Sequence, residues 1–307
     1  MTIPATTANL GPGFDCLGLA LGLYNTVTMT AVDPTSVGPT DVDTDELRIT
    51  AVGEGADQLP TDATNLVYRA ADCLFNKVGK RPSRLHIHLD NQIPIGSGLG
   101  SSGAAVVGGL LAANTLLSNP LSFAEVQQLA IAHEGHPDNV VAALHGGLIL
   151  VVQGDEGWHI EPISLPPLRV IIVLPTFGFP TAAARAVLPT CVPRADAIFN
   201  HSRLPLLLRA LQTADYAKLS LAMQDRMHQP YRVPLVPGLA EALQAAQAAG
   251  AAGVALSGAG PSLVAFARDN HEAIAAAAQV AFTAAGLPSR AWILPVAHSG
   301  AAVNSDQ

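Results

Sequence analysis

Along the first half of the chain the spacing of hydrophobic positions changes repeatedly, and each change marks a predicted element. "LYNTVTMTAV" (23–32) and "ELRITAVG" (46–53) alternate apolar with polar residues and are rich in β-branched side chains, which predicts two strands. The Asp/Pro/Thr-rich "DPTSVGPTDVDTD" between them reads as an exposed loop. "NLVYRAADCLFNKVGK" carries its apolar residues at helical spacing and stops at Gly79, a suitable residue just past a helix end. "SRLHIHLDNQIP" alternates again and reads as a strand, whereas "GAAVVGGLLAANTLL" is apolar on every side, as a helix buried in a core must be. Ser122 opens "SFAE", a capping box with Glu125, and Leu121 and Val126 stand at the staple positions, so a further helix is predicted to about His133. "HGGLILVVQG" follows as a strand after a turn.

Near residue 160 the composition shifts. "EPISLPPLRVIIVLP" is a Pro-rich link followed by a strand, which predicts two domains, 1–162 and 163–307. Helical patterns follow at about 195–213 and 215–228, with an Ala-rich helix near 237–249. Strands "GVALS" and "SLVAFA" flank a "GAGP" turn, and a helix near 271–285 precedes a last strand, "RAWILPV". Strands and helices alternate without a regular βαβ rhythm, which favours an α+β fold over a doubly wound sheet.

Composition narrows the function class. With 307 residues, 49% of them hydrophobic, a large core is available. Sixteen basic against twenty-four acidic residues give a net charge of −8, and no Lys/Arg stripe appears, so small molecules rather than nucleic acid are the expected partners. Cys16, Cys73 and Cys191 form no CxxC pair, which fits a reducing, cytoplasmic setting. "MTIPATTANLGPGFD" lacks the pattern of a secretory signal, and the longest apolar runs fall short of the roughly 20 residues that cross a bilayer.

The stretch "IPIGSGLGSSG" (93–103) packs four glycines and three serines together and contains no lysine. Phosphoryl groups bind where backbone N–H groups converge at a helix N-terminus, and a helix is predicted to begin where this stretch ends. A P-loop would require a lysine after its last glycine. Gly98, Gly100 and Gly103 match G-x-G-x-x-G, but Pro94 interrupts the approach and the acidic residue roughly 20 positions on, Glu125, sits in a capped helix rather than at a strand end. A phosphate site of another kind and a simple tight turn both remain open from the stretch alone.

Four separated motifs decide between them: "PATTANLGPGFDCLGLAL" (4–21), "IPIGSGLGSSGAA" (93–105), "EGHPDN" (134–139) and "SGAGPSLVAF" (257–266). Together they resemble the GHMP kinase superfamily, which phosphorylates hydroxyl groups of small metabolites with ATP, and most nearly its homoserine kinase branch. The resemblance spans nearly the whole chain. It implies an α+β fold of two domains, the first an α+β nucleotide-binding domain and the second ferredoxin-like, with ATP in the cleft between them. It implies that Pro94, Ile95, Gly96, Ser97, Gly98, Leu99, Gly100, Ser101 and Ser102 wrap the phosphates, supported by Gly258 and Gly260, and that Ser102 and Glu134 help hold Mg²⁺. L-homoserine would be met by Asn9, Asp15, His136, Asn139, Arg185 and Arg232, and the products, O-phospho-L-homoserine and ADP, belong to threonine biosynthesis. Exposed strands of such a fold could support a homodimer.

The chemistry of these residue types agrees with the implied roles. A hydroxyl and a carboxylate are hard oxygen ligands suited to Mg²⁺. Guanidinium forks suit an α-carboxylate, and Asp15 can accept from a substrate amine or hydroxyl. Several relatives in the superfamily carry a general-base Asp where this chain has Asn139, so the obvious base is lacking. Asn139 is expected to orient the hydroxyl and Asp15 to grip the substrate or act as base.

Blander readings stand beside these. Without the resemblance, Asn9 and Asp15 are turn formers around "GPG", Gly258, Gly260 and Pro261 are a turn, and the two arginines are surface charges. "HEGH" lacks the H-E-x-x-H spacing of a zinc site, and His86 and His88 simply share a strand face. Kinases for mevalonate, a diphosphocytidyl sugar alcohol or galactose are rivals, disfavoured by the Asn of "HPDN" and the two arginine motifs. A non-catalytic amino-acid or nucleotide sensor on the same fold is another. The first motif has almost no residues before it, which predicts a shortened first strand, and Gly103 stands where the family commonly has Ala.

Overall fold

The computed structural model describes residues 1–32, 46–155, 157–178 and 180–303, and the stretch 33–45 read as an exposed loop lies outside them. The first strand, expected to be shortened, is eight residues long (β1, Thr2–Asn9) and turns back into the 19-residue β2 (Gly13–Ala31). β2 serves three partners. It pairs with β1 along one edge, and along the other Asn25–Ala31 faces β4 (Leu85–Asn91) while Leu17–Leu19 faces β5 (Leu148–Gly154). β3 (Leu47–Gly53) lies parallel to β4, and β6 (Gly157–Ile163) closes the other end as a hairpin with β5. The order is β3-β4-β2-β5-β6, with β1 paired to β2 off this path.

Four helices cover this sheet: α1 (Leu66–Val78), α2 (Ser101–Leu116), α3 (Phe123–Glu134) and α4 (Asp138–His145). α1 is capped by Asn65, whose side chain accepts from Val67 N, and ends at Gly79 in the left-handed region, as predicted. The capping box at Ser122 and Glu125 is formed in both directions. α2 is the helix with no polar side, and it is buried because α1, α3, α4 and the sheet surround it. Its glycines permit that depth. A Cβ on Gly108 would lie 2.7 Å from Val27 Cγ2, and one on Gly109 would lie 2.3 Å from the carbonyl oxygen of Val67 in α1.

The chain passes to a second sheet between Ile163 and Arg169. There β7 (Arg169–Pro175) is followed by α5 (Thr181–Ala186), α6 (Arg194–Gln212), α7 (Leu219–Ala222), α8 (Gln229–Arg232) and α9 (Leu239–Ala248). Then come β8 (Gly253–Leu256), β9 (Leu263–Phe266), α10 (His271–Ala284) and β10 (Ser289–Pro295). The order β10-β7-β9-β8, all antiparallel, with α9 and α10 packed together on one face, is the ferredoxin-like arrangement. The continuous apolar run of β7 follows from burial on both faces. Ile171 and Val173 meet α9 and α10, while Val170 and Ile172 join the core shared with the first sheet. After β10 the chain returns to the first sheet, where Ala302 bridges Thr2 and Val296 bridges Leu21.

The helix expected over 215–228 does not form as one piece. A single 3₁₀ turn (Tyr216–Lys218) leads into the four-residue α7. Beyond it the Asp225 carboxylate accepts from the backbone N–H groups of Met227, His228 and Gln229 and from Asn200 Nδ2. A carboxylate that collects successive amides replaces the helical ladder at that point. α4, α5 and β6 were not anticipated as elements. β6 is an exposed edge strand with little periodicity, and the two helices are at most eight residues long.

Gly109→Ala sets two effects against each other. Alanine favours the helix by roughly 1 kcal/mol, but overpacking typically costs about 1–3 kcal/mol, and a backbone carbonyl cannot swing aside. The expected result is a net loss of stability, read as a lower midpoint of chemical denaturation at unchanged slope.

Candidate active site

The turn from β1 to β2 holds three non-glycine residues in the left-handed region, Asn9 (φ 70°), Leu10 (φ 46°) and Asp15 (φ 57°). Asn and Asp tolerate this region better than most side chains. Asn9 Nδ2 donates to Gly258 O at 2.9 Å and Asn9 Oδ1 accepts from Asp15 N at 3.0 Å. Asn9 is therefore a turn former that also ties the first motif to the "SGAGPS" turn. Gly11 has no room for a side chain, since a Cβ would lie 2.2 Å from the carbonyl oxygen of Met223.

Between β4 and α2 the glycine loop bends through Gly96, Gly98 and Gly100, all with positive φ. Its carbonyls are taken up by the protein. Pro94 O accepts from Ser97 Oγ, Ser97 O from Ser262 N, Gly98 O from Ser257 Oγ and Leu99 O from Thr6 N. Gly100 is the N-cap of α2 and no side chain caps the helix, so the amides of the first turn and the positive end of the helix face outward together. Ser102 Oγ, in that first turn, bonds Glu134 Oε1 at the end of α3 at 2.5 Å.

Past Gly135 the chain enters α4. His136 Nδ1 lies 3.1 Å from Asp138 Oδ1, and His136 Nε2 lies 3.9 Å from Glu134 Oε1. Asn139 donates from its backbone N (2.8 Å) and from Nδ2 (3.3 Å) to Asp138 Oδ1, and accepts from Thr6 Oγ1 at 2.8 Å. From the second half, Arg185 on α5 grips Asp15 with both terminal nitrogens, at 2.7 and 3.0 Å. Arg232, on α8, is almost completely buried, with Nε donating to Ala184 O at 2.9 Å and its guanidinium 5.1 Å from the Phe14 ring.

Charge and burial pull against each other here. Burial and the Arg185 charge lower Arg232 to about 10, so it stays cationic at neutral pH. Arg185 is raised by its hydrogen bond to Asp15. Burial opposes the charged form of His136, but the hydrogen bond and charge of Asp138, with Glu134, outweigh it and the net shift is upward. Burial, then Asp138 and Asp15, push the Cys16 thiol up to about 11, so it offers no thiolate nucleophile.

The sequence-derived residues converge on one cleft. It is lined by Asn9, Asp15, Ile95, Gly96, Ser97 and Gly98, then by Gly100, Ser101, Ser102 and Glu134, and by His136, Asn139, Arg185, Arg232 and Gly258. Pro94, Leu99 and Gly260 do not line it. Leu99 is fully buried, Pro94 anchors the loop through its carbonyl, and Gly260 packs against Leu256 behind the turn. Asp138, Thr181, Ala105, Ala259, Leu59 and Leu66 also line the cleft and were not anticipated. Asp138 lies inside the quoted "HPDN" and Thr181 beside the arginine motif. Leu59 and Leu66 carried no signal beyond hydrophobicity.

Residues 65–147 match the family described as GHMP kinases N terminal domain, and residues 207–285 match GHMP kinases C terminal. A homoserine kinase of Microchaete diplosiphon is 46% identical over 303 residues, covering 98% of this chain and 95% of that protein. The chain belongs to the homoserine kinase family of the GHMP kinases. A crystal structure of homoserine kinase from Cytophaga hutchinsonii superposes on this family member with a TM-score of 0.82 at 30% identity, covering 97% of this chain and 95% of the other. A crystal structure of L. major mevalonate kinase in complex with R-mevalonate, at 19% identity and a TM-score of 0.71 over 98% and 96% of the two chains, shares the fold. Membership of this kinase family implies ATP and a small-molecule acceptor. Among the described residues no helix is long and apolar enough to cross a membrane.

One buried histidine supports the cleft without lining it. His228 is fully buried, donates from Nε2 to Gly11 O (2.8 Å) and stacks on Phe14 with centroids 5.2 Å apart. Burial lowers its pKa despite Asp225 and Gly11, with Arg232 adding to the lowering. Below its ordinary value near 6.5 the unfolded chain binds a proton that the native state refuses, so stability falls as the pH drops through that value. The free energy of unfolding followed from pH 8 to 5 should decline below about pH 6.5, and His228→Gln should flatten that decline.

Proposed function

We propose that this chain transfers the γ-phosphate of ATP to the side-chain hydroxyl of L-homoserine, giving O-phospho-L-homoserine and ADP. The observation that carries the reading is a bidentate carboxylate–guanidinium pair, Asp15 and Arg185, standing beside a lysine-free phosphate loop in one cleft. An amino acid carries the same two charges as that pair. Its ammonium can replace the guanidinium on Asp15 and its carboxylate can replace Asp15 on Arg185, whose buried Nε has no hydrogen-bond partner among the described residues. Arg232 adds a second positive charge close by, held rigidly over Phe14.

The loop from Ile95 to Ser102 would receive the triphosphate on its amides and on the start of α2, with Leu59, Leu66 and Ile95 supplying an apolar end for the base. Ser102 and Glu134 fit a hard cation, because their oxygens already converge. Among the described residues no three acidic, His or Cys side chains cluster to hold a metal alone, which suits Mg²⁺, an ion that takes one or two protein oxygens with phosphates and water. When bound, Mg²⁺ would neutralise charge on the outer phosphates. Asn139 and His136 line the same cleft and would orient the hydroxyl for in-line attack. Asp15 acts as a grip rather than a base, since it faces a cation in either state, the Arg185 guanidinium without substrate and the ammonium with it. Loose phosphoryl transfer asks little of a base early in the reaction.

ADP release measured over homoserine, mevalonate and galactose tests the reading. Homoserine-dependent turnover is expected, turnover with mevalonate instead would make it a different kinase, and ATP binding with no turnover would leave a sensor. Asp15→Asn should raise the KM for homoserine about 10- to 100-fold, the value of one hydrogen bond to a charged group, and leave the KM for ATP unaffected. An unchanged homoserine KM would remove Asp15 from the substrate site.

A further inference from the structure

Asn139 is the acceptor-side residue that stands where a base is lacking, and its amide is held from two sides. Thr6, 1% exposed on β1, donates its hydroxyl to Asn139 Oδ1 at 2.8 Å. Asp138, 2% exposed at the start of α4, accepts on one oxygen from Asn139 N and Nδ2 and from His136 Nδ1. The two contacts fix the amide's sense. A flipped amide would set its oxygen against the Asp138 carboxylate, which can only accept. With both bonds made, the amide keeps one N–H and one lone pair free for the cleft.

Both clamps are themselves seated by glycines. A Cβ on Gly18 would lie 2.1 Å from the carbonyl oxygen of Asp138, so the backbone of β2 abuts the start of α4. A Cβ on Gly100 would lie 1.9 Å from Thr6 Oγ1 and 3.1 Å from Asn139 Oδ1. The last glycine of the phosphate loop thus rests directly on the Thr6–Asn139 hydrogen bond.

We infer that Thr6 and Asp138 are positioning residues for the phosphoryl transfer, acting through Asn139. They set which edge of its amide faces the acceptor hydroxyl and couple that edge to the loop that receives the phosphates. The inference rests on the homoserine kinase reading of the cleft. Neither residue needs to touch substrate, and neither can be replaced by shape alone, since a valine at position 6 keeps the volume of threonine but not the donor.

Steady-state kinetics of Thr6→Val, Thr6→Ser and Asp138→Asn, each alone and combined with Asn139→Ala, test it. Thr6→Val should lower kcat on the order of 10- to 100-fold, the scale of a small misplacement of a reacting group, with the KM values for ATP and homoserine changed by less than about threefold. Thr6→Ser, which keeps the donor, should recover most of the loss. Asp138→Asn should show the same kcat-selective fall. In the Asn139→Ala background neither substitution should lower kcat further, because the residue through which they act is gone. Wild-type kcat in Thr6→Val, losses that multiply with Asn139→Ala, or a fall in kcat that tracks a lowered melting temperature or lost ATP binding would each overturn the inference. No homoserine turnover by the unmodified enzyme would instead overturn the reading on which it rests.

Discussion

Three turns from distant parts of the chain meet backbone to backbone, and the cleft depends on that junction. Gly258 N donates to Ala8 O at 3.1 Å, Ser257 Oγ bonds both Thr7 Oγ1 and Gly98 O, and a Cβ on Gly98 would lie 2.4 Å from Ser257 O. No side chain fits between the glycine loop and the 257–261 turn, so the end of β1, the loop and the second sheet are held at a fixed separation. Glycine at these points is a steric requirement of close approach. Burial alone could not achieve this, because hydrophobic packing is non-directional and does not set the relative position of two turns.

Around the junction, each carboxylate of the cleft has a partner: Asp15 the Arg185 guanidinium, Glu134 the Ser102 hydroxyl and Asp138 the His136 ring. Pairing lets charges persist in a partly buried site where isolated ones would be costly. On the proposed reading a ligand would bind by exchange. A zwitterion entering beside Asp15 and Arg185 would substitute its own ammonium and carboxylate for the internal partners, so little charge would be left uncompensated at any stage. A ligand carrying only one of the two groups would separate the pair and leave one member without a partner, so the arrangement discriminates by what it leaves unsatisfied as well as by what it binds.

Much of this was legible in the sequence. The capping box at Ser122, the Gly79 stop and the apolar α2 each follow from local chemistry that the tertiary structure does not override. The clustering of the cleft residues followed from motifs whose family resemblance placed them together. What was not legible depends on contacts distant in sequence. The break in the helix expected over 215–228 comes from Asp225 collecting amides, which periodicity does not register. Asp138 was passed over inside its own motif because nothing local singles it out, and only the fold shows three donors on one of its oxygens. Likewise Leu59 and Leu66 show their relation to the cleft only once α1 is docked.

The absence of a free base now has a physical context. Of the three carboxylates in the cleft, Asp15 is spanned by a guanidinium, Glu134 is bonded to a hydroxyl, and Asp138 is buried behind His136 and Asn139. A site that leaves none of them uncommitted is built to hold groups in place. That is consistent with a transition state in which bond breaking to the leaving group runs ahead of proton loss from the attacking hydroxyl, where alignment and charge stabilisation supply most of the acceleration. An amide suits such a site better than a carboxylate, since it orients a hydroxyl through one donor and one acceptor without adding a negative charge beside the phosphates.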